Sequence, residues 1–480
     1  MDKKEYINRL DEQKKLQEMM SRDRYLLNFH LIPPSGWLND PNGLCQFKGT
    51  NHIYYQYTPF DATWGMKLWG HYTTEDWVTY KEYEPFLFSD IKDDRDGVYS
   101  GSAFIKDDEI YFYYTGNVKY TDKKYDYISA GREQNTIMMR SKDGFTYDEK
   151  RTILKNSDYP NMSCHVRDPQ IIERDGVFYM VLGARDLEDR GCVLIYSSKD
   201  LENWSYHMRI DSQEKFGYMW ECPNLIEISG KMFLICCPQG VEQIGIDYAN
   251  IYQCGYFPVD INFKEREYAL GKFIELDRGF DIYAPQTFTD EKGRKILIGW
   301  MGIPDAEYTN EETVKNGWQH ALTLPRELKV KNGKIIQIPL EEFKKLRVEQ
   351  KEIANYENVE LIFEFESCKK IEIILRESIK LIYNDGILTL NLKKCGLERD
   401  ERSVKLEKLE SLNIFLDNSS IEIFINYGEE VFTSRCYCKI LENKVNLKGE
   451  YKLKKFKGYE IKKLKFQIKN CMIVDIIILK

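Results

Sequence analysis

Three carboxylates sit in short strings of similar make-up. Asp40 lies in Trp37-Leu38-Asn39-Asp40-Pro41-Asn42-Gly43, Asp168 in Arg167-Asp168-Pro169, and Glu221 in Trp220-Glu221-Cys222-Pro223-Asn224. Taken singly, each string is turn chemistry. Taken together, they supply what cleavage of a glycosidic bond requires. One group protonates the leaving oxygen, and a second carboxylate attacks or activates water. Glu221, between a tryptophan and Cys222-Pro223, has a partly dry setting that favours the protonated form a general acid needs. Asp40, among asparagines and turn amides, suits an ionised nucleophile. Arg167 beside Asp168 is expected to hold that carboxylate charged, which fits transition-state support better than proton transfer.

The positioning of these groups follows from a repeat. Two further strings, Tyr99-Ser100-Gly101-Ser102-Ala103 and Tyr283-Ala284-Pro285-Gln286-Thr287, open strand patterns in the same way. Each of the five units runs from a polar or aromatic opening through a short strand and a turn to a second apolar strand. The units start roughly 50–70 residues apart, somewhat longer than a single propeller blade of ~40–50 residues. In a propeller the first strand of each blade lines the central channel. Five openings distant in sequence would therefore converge at one end of the channel. The fold class expected is all-β: a five-bladed β-propeller followed by a C-terminal β-sandwich.

Residues 1–24 carry Tyr6, Leu10, Leu16 and Met19 amid charge, and form an N-terminal helical extension. Residues 25–335 read as the propeller, with strands punctuated by Asp143-Gly144, Asp175-Gly176 and Lys292-Gly293. Polar insertions run over 117–134 and 305–316. A linker helix is expected over 336–350, with Leu340, Phe343 and Leu346 on one side. Over 351–480 apolar residues alternate at period two, as in Ile371, Ile373 and Leu375, or Leu388, Leu390 and Leu392. That is the pattern of two packed sheets. The apolar run Met472 to Leu479 reads as a buried terminal strand.

The chain has 480 residues and a net charge of −8, and its basic residues are scattered, which argues against nucleic acid and anionic membranes as partners. The start, Met1-Asp2-Lys3-Lys4-Glu5, lacks the apolar core of a signal peptide, and no apolar run approaches a bilayer span. A cytoplasmic location is expected, with the 12 cysteines as reduced thiols. There is no C-x-x-C pair, no H-E-x-x-H, no phosphate loop and no G-x-S-x-G elbow, so no metal or cofactor is expected.

The ordered set of motifs closely resembles glycoside hydrolase family 32, the invertase and sucrose-6-phosphate hydrolase group. Besides the five openings it includes Trp69-Gly70-His71, Phe280-Asp281-Ile282, Leu324-Pro325-Arg326-Glu327-Leu328 and the stretch Ser419 to Cys436. The resemblance implies a retaining β-fructofuranosidase with Asp40 as nucleophile, Glu221 as acid/base and Asp168 as transition-state stabiliser. By the same resemblance Asn39, Gln56, Trp64, Tyr99, Ser100 and Arg167 line the fructosyl pocket, with Trp37 and Trp300 as aromatic walls. Leu38, Tyr99 and Asn224 depart from the family's usual Met, Phe and Asp. The substrate implied is sucrose or sucrose 6-phosphate. Short inulin or levan oligosaccharides are the alternative, and a non-catalytic sugar-binding propeller is a remote one that three intact carboxylates argue against. Lys67, Arg95, Arg185 and Arg190 are the loop cations considered for a 6-phosphate. A monomer or homodimer would serve equally.

Overall fold

The computed structural model describes residues 1–349 and 356–468. Five antiparallel sheets of four or more strands follow one another along the chain. Their innermost strands are Gly36–Phe47, Val98–Lys106, Met162–Arg174, Met219–Ile228 and Tyr283–Thr289. Each is the first strand of its blade, and each carries one of the five openings. Between neighbouring blades the cores are built from alternating Ile, Val, Leu and aromatic side chains, such as Met180, Leu182 and Leu194, or Ile195, Leu225 and Leu234. Period-two alternation on strands buried on both faces accounts for this.

The first blade is extended at both edges by strands from later in the chain. Trp318–Gln319 pairs in parallel with Gly36 and Trp37, and Lys465–Ile468 pairs in parallel with the outer strand of the first blade, Thr79–Leu87. Side chains of the inner strands then tie blade to blade. Ser100 donates to Asp40, Ser102 to the Pro169 carbonyl, and the Leu225 amide to Gln170. The Thr287 amide donates to Asn224 and the Leu44 amide to Gln286, which completes the circle.

The C-terminal domain is the expected β-sandwich. Its longest strand, Val359–Leu375, pairs with Ser411–Asp417, Ile379–Asn384 and Asn446–Ile461. Ile371, Ile373, Leu375, Leu388, Leu390 and Leu392 are buried in one core, whereas Ile387 is exposed.

Local detail refines two expectations, the N-terminal extension and the 305–316 insertion, and corrects a third, the linker. The N-terminal extension is two helices, Lys3–Asn8 and Leu10–Met20, broken at Arg9; Met20 is buried and Met19 exposed. The linker holds a six-residue 3₁₀ helix, Glu341–Leu346, between a fifth-blade strand, Lys334–Pro339, and the strand Arg347–Glu349. Leu340, Phe343 and Leu346 are buried, and their spacing of three is the 3₁₀ period rather than the α period. The insertion at 305–316 contains a short helix, Glu311–Val314. The stretch Met472 to Leu479 lies outside the described residues. No helix among the described residues is long and apolar enough to cross a membrane.

Candidate active site

All five inner strands are irregular at the same level. In each, two residues face one on the neighbouring strand: Asn39-Asp40 opposite Gln56, and Tyr99-Ser100 opposite Thr115. The remaining pairs are Asp168-Pro169, Cys222-Pro223 and Ala284-Pro285. These are β-bulges, which re-aim side chains and increase twist. Proline suits them because a bulged residue has no ladder partner for an amide. Asp168, Cys222 and Ala284 have φ of +62°, +50° and +44°, left-handed values that L residues adopt at a cost. The bulges turn Asp40, Asp168 and Cys222 onto one cavity on the propeller axis.

Asp40 is held on both oxygens. Ser100 Oγ donates at 2.5 Å and Asn39 Nδ2 at 3.0 Å, while Trp37 Nε1 donates to Asn39 at 2.8 Å and fixes that amide. Burial nevertheless pushes the Asp40 carboxyl above its usual range; the bonds from Ser100 and Asn39 oppose that rise and nearby Glu221 adds to it. Asp168 is buried. Its Oδ2 accepts from the Cys222 amide at 2.9 Å, and the Cys222 thiol lies 3.5 Å from that oxygen and 3.9 Å from Asp40 Oδ2. Burial raises Asp168 to about 7, with Arg167 opposing and the charges of Glu221 and Asp40 adding.

Glu221 has a different environment from the dry, thiol-lined one expected. Arg167 grips Oε1 through Nε at 2.9 Å and through Nη2. Gln239 Nε2 at 2.7 Å and the Tyr283 hydroxyl at 2.6 Å both donate to Oε2. The expected pairing of Arg167 with Asp168 is thus replaced by an ion pair with Glu221. Consecutive residues of a strand face opposite ways, so sequence neighbours seldom touch the same group. Arg167 is further held by Gln134 Oε1 at 3.0 Å and His165 Nδ1 at 2.8 Å.

The other expected pocket residues gather at the same end. Gln56 is buried and donates to the Val98 carbonyl at 2.9 Å. Tyr99 and Ser100 lie on the second bulge. Trp37 and Trp300 have ring centres 6.2 Å apart, and His320 wedges edge-on between them, 4.5 Å and 4.9 Å from the two rings. Trp64 is the outlier at 63% exposed, on the rim. Lys67 links it to the wall, its Nζ 4.6 Å from the Trp37 ring centre and 5.3 Å from that of Trp64. Burial pushes the Lys67 ammonium down to about 7, and its Nζ has no hydrogen-bond partner. Trp300 Nε1 and both His320 nitrogens are buried and unpartnered as well. Orphaned buried donors concentrated at one wall are the expected state of a polar-ligand pocket.

Gln239, Tyr283, Gln134, His165, Lys67 and His320 were not assigned to the site from sequence. Tyr283 lies inside the fifth opening, so its signal was present; the others carry no local mark. Asn224, one of the three departures, clamps Thr287 and the Pro285 carbonyl and makes no bond to Glu221.

A propeller with carboxylates on three of its five inner strands, joined to a sandwich, defines a class of carbohydrate-cleaving enzymes. The chain belongs to glycoside hydrolase family 32: residues 30–339 match the family's N-terminal domain and 331–463 its C-terminal domain. The sucrose-6-phosphate hydrolase of Bacillus subtilis is 37% identical over 449 residues, covering 89% of this chain and 92% of that protein. That of Staphylococcus xylosus is 36% identical, covering 93% and 95%. Among solved structures, the sucrose-6-phosphate hydrolase of Lactobacillus gasseri superposes with a TM-score of 0.87 at 29% identity, over 95% of this chain and 97% of that one. A family 32 β-fructofuranosidase from Bombyx mori gives 0.81 at 28% identity, over 97% and 99%.

Proposed function

We propose that this protein is a retaining β-fructofuranosidase that hydrolyses sucrose or sucrose 6-phosphate and releases fructose. The observation that carries the reading is the division of labour among the three carboxylates. Asp40, fixed on both oxygens beside the aromatic wall, attacks the anomeric carbon of the fructosyl unit. Glu221 protonates the departing glucosyl oxygen, then takes a proton from the water that releases fructose. Arg167, Gln239 and Tyr283 hold the Glu221 side chain in place, and they stabilise the carboxylate that forms once its proton has gone to the leaving group.

Asp168 is placed to accept hydrogen bonds from fructosyl hydroxyls. Those bonds strengthen as positive charge develops at the anomeric carbon. Trp37, Trp300 and Trp64 supply apolar faces for the sugar, and Asn39, Gln56, Tyr99 and Ser100 the remaining contacts. A phosphorylated disaccharide does not cross a membrane unaided, so the cytoplasm is where such a substrate would be met.

The test is to give purified protein sucrose and sucrose 6-phosphate and follow the first fructose released by NMR. Retention predicts β-fructofuranose ahead of its equilibration with the other anomers. An α-anomer would remove the covalent mechanism, and no cleavage of either sugar would remove the activity.

A further inference from the structure

The rim beside Glu221 carries more positive charge than its neighbours balance. On the second blade, Lys119 pairs across strands with Arg132, and Asn117 with Gln134. Arg132 and Gln134 are two apart on one strand and so share a face. On the third blade, His165 and Arg167 are likewise two apart, and the partner strand carries Arg185 beyond the Ala184–Val166 pair. Arg167 joins the blades by bonding both Gln134 and His165. Arg132, Arg167 and Arg185 all press on His165, which burial and these three charges push down to about 2. His165 is therefore neutral, a spacer that accepts from Arg167.

Partners for these cations are few. Arg167 is matched by Glu221, and Arg185 by Asp189 at 2.6 Å over the ring of Tyr218. Neither Lys119 nor Arg132 has a carboxylate within ion-pair distance among the described residues, though Asp96 acts on Lys119 from further off. Glu133, next in sequence to Arg132, is engaged by the Tyr120 hydroxyl at 2.7 Å. Arg132 Nε and Gln134 Nε2 are buried with no hydrogen-bond partner. A half-buried guanidinium without a counter-ion has lost hydration and gained nothing in return. A ligand anion would correct that imbalance.

The geometry points to Arg132, with Lys119 and Arg185 on either side, as the site that binds the phosphate of a glucosyl 6-phosphate leaving group. This rests on the activity proposed above, because it takes its direction from the acid. The leaving oxygen faces Glu221, so the glucosyl unit extends over Arg167 toward the rims of the second and third blades, where these cations stand. Arginine suits the task because its planar fork matches phosphate oxygens bidentately. Of the loop cations considered from sequence, only Arg185 belongs to this group. Lys67 lies by the tryptophans on the Asp40 side, Arg95 pairs with Asp96, and Arg190 donates to the Ser212 and Gln213 carbonyls.

The test compares kcat/KM for sucrose 6-phosphate and sucrose in the native enzyme and in Arg132→Gln, Arg132→Lys and Arg95→Gln. The native ratio is expected above tenfold. Arg132→Gln should lower that ratio at least tenfold, mainly through KM of the phosphorylated sugar, with Arg132→Lys in between and Arg95→Gln keeping the native ratio. Glucose 6-phosphate should inhibit sucrose cleavage more strongly than glucose does, and lose that advantage in Arg132→Gln. A native ratio near one, or a ratio unmoved by Arg132→Gln, overturns the phosphate site while leaving the fructosidase intact. Failure to cleave either sugar instead strikes the activity itself.

Discussion

Two regions of this protein bury charge, and they do so in opposite ways. Where the propeller meets the sandwich, several buried charges are matched by opposite ones. Arg399 holds both oxygens of Asp281 at 2.7 Å. Arg326 reaches Asp277 at 3.1 Å and Glu422 at 2.6 Å. His30 bridges Asp417 at 2.8 Å and Glu422 at 2.9 Å. Burial disfavours a charge on His30, yet the two carboxylates outweigh it and its pKa is raised. At the channel mouth, only Glu221 of the three carboxylates is paired with an arginine, Lys67 has no hydrogen-bond partner, and Asp168 is pushed up to about 7. In the first region these ion pairs link the two domains. In the second, Lys67 and two of the three carboxylates have no ion pair among the described residues, as in a site built for a polar ligand. Unsatisfied polar groups and left-handed backbone fall together at the second region because binding energy can offset their cost.

That contrast can be broken by substitution. The largest effect is expected at Asp40→Asn, where loss of the nucleophile should lower kcat on sucrose on the order of 10⁴-fold. The melting temperature should hold or rise, since one member of a repelling cluster is gone. A variant that melts well below the native protein would show the mouth to be structurally matched after all.

Next is Arg399→Met, which strands Asp281 in the interface. Breaking one side of a buried pair costs ~3–5 kcal/mol, and denaturant unfolding should show it. A loss below about 1 kcal/mol would mean that the pair contributes as little as an exposed one.

The smallest and sharpest effects are in pH. The folded-state pKa of Asp168, about 7, lies above its unfolded value near 3.8. Between those values the folded protein holds a proton that the unfolded chain has lost, so native stability falls as pH rises from about 4 to about 7. Asp168→Asn should therefore be more stable than the native protein at pH 8, with the gap closing toward pH 4. Lys67 titrates near 7 folded and 10.5 unfolded, so its penalty is full below pH 7 and fades as pH rises toward 10.5. Lys67→Met should gain stability below pH 7 and converge with the native protein in alkali. Gaps that do not slope in opposite directions would contradict the unmatched state of the mouth.

Much of the site was legible because chemistry and local geometry coincide in the strings. A carboxylate followed at once or one residue later by proline marks a bulge, and bulges mark the channel mouth. Asp40, Asp168 and Glu221 stand in such strings, whereas Ser100 and Arg167 were assigned to the pocket through the family resemblance. Partnership was not legible. Arg167 was assigned to its sequence neighbour Asp168 but grips Glu221, 54 residues away. Gln239 and Tyr283, 18 and 62 residues from Glu221, complete that shell, and although Tyr283 opens the fifth string, nothing in the chain marks either as a partner of Glu221. The linker went wrong for a related reason, since three apolar residues spaced by three fit both helix periods over so short a span.

The sequence by itself determined the strand pattern and the five openings and put forward the candidate reacting groups, because alternation and turn chemistry are set by residues a few positions apart. The tertiary structure alone decided which donor serves which carboxylate, which cations stand unpaired, and that Lys67 lies by Trp37 and Trp64 whereas Arg132 acts on Tyr99 and Arg167. Those outcomes depend on which strand faces converge across the ring, and the dielectric and partners they create do not exist until the blades close.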